Sequence, residues 1–153
     1  WDIRPKPEFG TVEIRVCDTP LSIETATALA ALAQCLTRYL LRTRNEKPPI
    51  NTHLQLYVAR YNKFQACRYG FDAMLSDPIA KKQEPLRDVL QDLLVVLAED
   101  ARELGCVPWL ERIGKALESG ESDAGWLRDH YASHKNLHDV VRESALRFAR
   151  PAA

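Results

Sequence analysis

The sequence has no surplus of either charge sign, no long apolar run, no paired-cysteine motif, no internal repeat and no low-complexity segment. Each absence removes a class of function. Its 21 Lys and Arg balance 21 Asp and Glu, so no overall field draws the chain to nucleic acid, a membrane surface or a polyanion. No stretch approaches the roughly 20 apolar residues needed to span a bilayer, and the start carries no signal-peptide pattern. Cys17, Cys35, Cys67 and Cys106 are scattered among apolar or helical neighbours with no CxxC pair. That predicts reduced, mostly buried thiols in a cytoplasmic protein rather than a disulfide framework.

What is present is a chain of 153 residues, 46% hydrophobic, long enough for one core and too short for two ordinary domains. It opens at Trp1 without an initiator Met and enters a patterned strand within ten residues. A fragment of a longer polypeptide is therefore expected. Residues 10–18 alternate strictly, placing Val12, Ile14 and Val16 on one face and Thr11, Glu13, Arg15 and Cys17 on the other. Asp18-Thr-Pro breaks this strand. Ser22 then caps a helix to about residue 44, with Ile23, Ala26, Leu29, Ala30, Ala33, Leu36, Leu40 and Leu41 as its apolar positions. Lys47-Pro-Pro marks a loop. A second helix covers about 54–69 with Gly70 as its stop, and 71–75 with 82–85 read as a short hairpin. Further helices are expected over 86–104, stopped by Gly105, then 108–118 opened by Pro108, 123–132 and 136–149.

Glu13 and Arg15 stand two residues apart on one strand face, so their side chains project in parallel about 7 Å apart. Glu is a hard oxygen donor suited to Mg²⁺, and the planar Arg fork matches carboxylate or phosphate oxygens. Phosphoryl transfer needs both, because charge on the phosphate oxygens must be neutralised by metal and fixed cations. Arg4, between residues of a stiff proline-rich approach, can add a second cation. Taken alone, however, Glu-x-Arg is common and reads as the solvated face of an ordinary half-exposed strand.

The wider string alters that balance. Trp1-Asp-Ile-Arg-Pro, Phe9-Gly-Thr-Val-Glu-Ile-Arg and Asp18-Thr-Pro resemble the W-D-I-R-P, F-G-T-x-E-x-R and D-T-P of the carboxylate-amine ligase family, also called glutamate-cysteine ligase type 2. Arg60-Tyr-Asn-Lys-Phe-Gln-Ala-Cys-Arg-Tyr-Gly-Phe-Asp-Ala is similar to that family's R-x-N-x-F-x-A-x-R-Y-G-L-D/E-A/G. The resemblance covers nearly the whole chain but less than half of such an enzyme. It implies an α+β architecture, the C-terminal part of a glutamine-synthetase-like fold, with one active-site strand, a short hairpin and a mostly helical body. It also implies ATP and Mg²⁺ as cofactors, glutamate and cysteine as substrates, and an N-terminal half of the same polypeptide that supplies the other metal ligands. Residue by residue, Glu13 matches a Mg²⁺ ligand, while Arg15 matches the arginine holding the transferring phosphoryl group or substrate carboxylate. Arg4 is expected on phosphate. Arg68 and Asn62 are candidates for substrate binding, although six helical steps of about 100° separate their faces; Asn62 can equally hold a neighbouring backbone. Family precedent and the apolar helices point to a homodimer.

Tyr61, Phe64, Tyr69 and Phe71 are expected to pack between the second helix and the barrel, and Trp109 and Trp126 to anchor helices. His130, His134 and His138 are spaced at four, the interval of ligands on a helix. No acidic motif accompanies them and residues 133–136 break the helix, so they and His53 read as solvated. Where the family pattern has D-P-x-T-G, this chain has Asp77-Pro-Ile-Ala-Lys, which alters the hairpin turn. Two other readings stay open: a ligase of the same fold with a different acid or amine, and a catalytically silent helical interaction module.

Overall fold

Ser22 is extended, and its Oγ accepts the Thr25 amide at 3.1 Å. This cap starts α1, Ile23–Thr43, in the computed structural model, which describes residues 2–44 and 52–150. The loop expected at Lys47-Pro-Pro lies outside the described residues, as does Trp1. Before α1, β1 (Ile3–Lys6) and β2 (Thr11–Ile14) form an antiparallel hairpin. After it come α2 (Thr52–Tyr69), a 3₁₀ turn at Gly70–Asp72, and a second hairpin of β3 (Met74–Asp77) and β4 (Lys82–Pro85). Five helices complete the order: α3 (Leu86–Val96), α4 (Ala98–Glu103), α5 (Val107–Ser119), α6 (Asp123–His134) and α7 (Leu137–Phe148). The described chain is α+β and mostly helical, with two separate two-stranded sheets.

The expected strand over residues 10–18 is shorter, Thr11–Ile14, and its partner is the proline-rich segment read as an approach. Pro5 sits opposite Val12. A two-stranded sheet has only edge strands, where the missing proline N–H need not break a ladder. The expected helix over 86–104 is divided at Leu97, whose side chain is 0% exposed. The first strand of the second hairpin begins at Met74 rather than residue 71, because Gly70–Asp72 tightens into the 3₁₀ turn.

The core joins Ala31 and Cys35 of α1, Leu97, Ala101 of α4, Cys106, and Leu110 of α5, flanked by Leu36, Tyr39, Leu94 and Trp109. The buried stripe of α1 runs through Ala28, Ala31 and Cys35, whereas Ile23, Leu40 and Leu41 of the expected apolar face are exposed. Small residues of α1 thus face α4 and α5 in the core. The bulkier Leu41, with Ala33, Thr37, Ile14 and Leu104, instead lines an open groove of about 770 Å³. Asp100, 1% exposed, fastens α1 to α4: it accepts from Arg42 Nη2 at 3.0 Å and lies 3.3 Å from Arg38 Nε. Two guanidiniums offset the charge of a carboxylate whose burial would otherwise be costly, although Oδ1 accepts no hydrogen bond.

Cys35 and Cys106 are buried, but Cys17 and Cys67 are exposed, and all four thiols are free. The expectation of mostly buried thiols therefore holds for half of them. Ser122 caps α6 through the Gly125 amide, and Asn136 caps α7 through the His138 amide. His138 thus belongs to a different helix from His130 and His134. His130 is half-buried rather than solvated: its ring stacks between Trp126, 4.9 Å away, and His134, 4.2 Å away. Arg147 lies over Trp126 at 5.0 Å, so this ladder joins α6 to α7. The side chain of His53 lies outside the described residues. No described helix is long and apolar enough to cross a membrane.

Candidate functional site

Gly10 closes the first hairpin with φ +60°, its amide bonding to Pro7 O. That left-handed conformation suits glycine. The turn sets a register in which Arg4 lies opposite Glu13. Directly opposed residues of an antiparallel pair share a face and lie close enough for their side chains to meet. Arg4 Nε donates to Glu13 Oε2 at 2.7 Å and Nη2 stands 2.5 Å from the same oxygen. Arg15, two residues beyond Glu13, reaches Oε1 with Nε at 3.4 Å. Its amide donates to Asp2 O at 2.8 Å, extending the ladder past the end of β2.

Arg4, Glu13 and Arg15, far apart or merely alternate in sequence, thus form one cluster with a carboxylate between two guanidiniums. Its formal charge is +1, and all three side chains remain partly open to solvent. An approaching anion meets two cations on an exposed face. With a phosphate present the guanidiniums can turn to its oxygens and free Glu13 to act as an oxygen ligand.

The structure does not gather the other two candidates onto this face. Asn62 Nδ2 donates to Ser76 O at 2.9 Å, and its Oδ1 accepts the Ser76 amide at 2.8 Å. Both ends of the amide are thereby spent on β3, the backbone-holding role. Arg68 is exposed, with Cζ 5.9 Å from the Tyr69 ring centre. Tyr61, Phe64 and Tyr69 are exposed in this chain, while Asn62 of the same helix is turned to β3. Phe71 is half-buried beneath Arg87, whose Cζ is 5.4 Å from its ring centre.

Sequence reading assigned no role to Asp2 or Lys63, yet Lys63 Nζ donates to the Asp2 carboxylate and ties α2 to the first hairpin. That contact holds the Asp2 carboxyl below its ordinary range. Position beside Asn62 was the only available signal for Lys63.

As a metal centre the cluster is partial. No group of three or more His, Cys, Asp or Glu side chains that could hold a metal occurs among the described residues. Mg²⁺ commonly takes one or two carboxylates and fills its other positions with phosphate oxygens and water. Glu13 fits as one such carboxylate.

Comparison with known proteins gives this arrangement its context. The sequence pattern of glutamate-cysteine ligase family 2 matches residues 1–143. The chain belongs to that family. It is 62% identical over 147 residues to a protein of Dechloromonas aromatica (strain RCB) named "Putative glutamate--cysteine ligase 2", covering 96% of this chain and 38% of that protein. A protein of the same name from Janthinobacterium sp. (strain Marseille) is 46% identical, covering 98% of this chain and 40% of its own length. A relative from Legionella pneumophila (strain Corby), "Putative glutamate--cysteine ligase 2-2", is 45% identical with 98% and 39% covered. This glutamate-cysteine ligase family chain therefore spans about two fifths of the length of the curated relatives it matches.

Proposed function

We propose that the polypeptide to which this chain belongs is an ATP-dependent carboxylate-amine ligase of glutamine-synthetase-like fold, joining glutamate to cysteine. The observation that carries the reading is the meeting of Arg4, Glu13 and Arg15 on one hairpin face in a chain of this family. In the first step a γ-carboxylate oxygen of glutamate attacks the terminal phosphorus of ATP, and ADP departs with the electrons of the broken P–O bond. In the second the cysteine amine attacks the acyl carbon, inorganic phosphate leaves and the amine loses a proton.

Arg15 and Arg4 would neutralise the oxygens of the phosphoryl group in flight, where fixed cations lower the barrier most. Glu13 would hold Mg²⁺, which when bound supplies further neutralisation of phosphate charge. Arg68, exposed on α2, is available to a substrate carboxylate. The remaining metal ligands would come from the part of the ligase outside this chain, so this chain alone is expected to be inactive. Homodimerisation would add a second copy of the same site.

The test is phosphate release from ATP by the full-length ligase with glutamate and cysteine. Glu13→Gln and Arg15→Ala should each lower kcat by about 10²–10³. If both variants keep full activity, the assignment fails; unchanged nucleotide binding as well would favour an interaction module. A panel of other acids and amines in the same assay tests the alternative substrate reading.

A further inference from the structure

We propose that Lys63 is a positioning residue of the ligase site, holding the hairpin that carries Arg15 through its ion pair with Asp2. The proposal rests on the ligase reading above and adds to it a residue outside the phosphate-facing cluster. The first hairpin is a sheet of its own, sharing no strand with the second. Within this chain the hairpin is therefore joined to the helical body by side-chain contacts rather than by shared strands. Among the described residues, Lys63 to Asp2 is the only side-chain hydrogen bond or ion pair between residues 2–15 and that body.

Asp2 is bound on both sides. Its carboxylate takes the Lys63 ammonium, and its carbonyl takes the Arg15 amide at 2.8 Å. Lys63 therefore reaches the backbone of Arg15 through a single residue. The neighbouring Asn62 grips Ser76 of β3 with two hydrogen bonds, 2.9 and 2.8 Å. Consecutive residues of α2 thus hold one hairpin each, and α2 fixes the distance between them.

An exposed pair contributes little to global stability, whereas small misplacement of a catalytic group can cost up to a hundredfold in rate. The two effects can be separated experimentally. In the full-length ligase, Lys63→Met and Asp2→Asn should each lower kcat about tenfold, with KM for ATP nearly unchanged, as expected when geometry in the transition state is lost. The melting temperature should stay at the parent value. Lys63→Arg should retain activity, and the exchanged pair Asp2→Lys with Lys63→Asp should recover most of the loss. Full kcat in Lys63→Met and Asp2→Asn, alongside inactive Glu13→Gln and Arg15→Ala, would overturn the clamp and leave the ligase reading intact. Loss of kcat without recovery in the exchanged pair would also overturn it. Full activity in the Glu13 and Arg15 variants would remove the ligase site assignment and the clamp with it.

Discussion

Lys81→Gly should stabilise the protein, and the turn between β3 and β4 gives the size of the effect. Lys81 has φ +54°, at the place where the family pattern carries glycine. An L residue in the left-handed region costs about 1–2 kcal/mol because Cβ crowds the following carbonyl. Glycine escapes that cost but loses about 0.5–1 kcal/mol more than other residues when its chain is ordered. At the midpoints of the two ranges the difference favours glycine by about 0.75 kcal/mol. Lys81 is exposed and makes no ion pair among the described residues, so little is lost with its side chain. For a chain of this size each kcal/mol moves the midpoint by about 2–4 °C, so the expected rise in Tm is about 1.5–3 °C. Thermal and urea unfolding followed by circular dichroism should show that rise with the urea slope unchanged. Lys81→Ala keeps both Cβ and the strained φ and should leave Tm where it was. A lower or equal Tm for Lys81→Gly, or an equal rise for Lys81→Ala, would refute the argument from backbone strain.

Two further outcomes follow from the same structure. The carboxyl of Asp77 lies below its ordinary value of 3.8 because it accepts the amides of Ala80 and Ile79. A depressed carboxyl stabilises the fold above its unfolded pKa and loses that contribution as pH falls through the folded one. Asp77→Ala should therefore lower Tm at pH 7, and the gap to the parent should close in titrations below about pH 4; a gap independent of pH would contradict this. Burial pushes the Cys35 thiol up to about 11, with Cys106 beside it adding to the rise. At pH 8 a maleimide should quickly label Cys17 and Cys67 and leave Cys35 and Cys106 unmodified until denaturant is added. Rapid labelling of more than two thiols by native protein would show that the core is open.

Local chemistry was legible wherever one residue acts on its own neighbours. Ser22 capped its helix, Gly70 and Gly105 stood at the expected helix ends, and Lys82–Pro85 formed the expected strand. These features depend on a few successive dihedrals and hydrogen bonds. Periodicity placed α1 but did not say which face is buried: Ala28, Ala31 and Cys35 are inside, and Leu40 and Leu41 are exposed in this chain. Which stripe is buried depends on how closely the facing helices come, and that is a property of the assembled core.

The candidate site divides in the same way. The alternation of residues 10–18 put Glu13 and Arg15 on one face, and the motif strings carried the family. Only the tertiary structure placed Arg4 opposite Glu13, because the register follows from the turn closed at Gly10 rather than from either strand. Only it spent Asn62 on Ser76 and joined Lys63 to Asp2 across 61 positions of chain. The sequence by itself determined which chemical groups the site could hold. Their pairing was decided by contacts between distant segments, whose geometry no local pattern encodes.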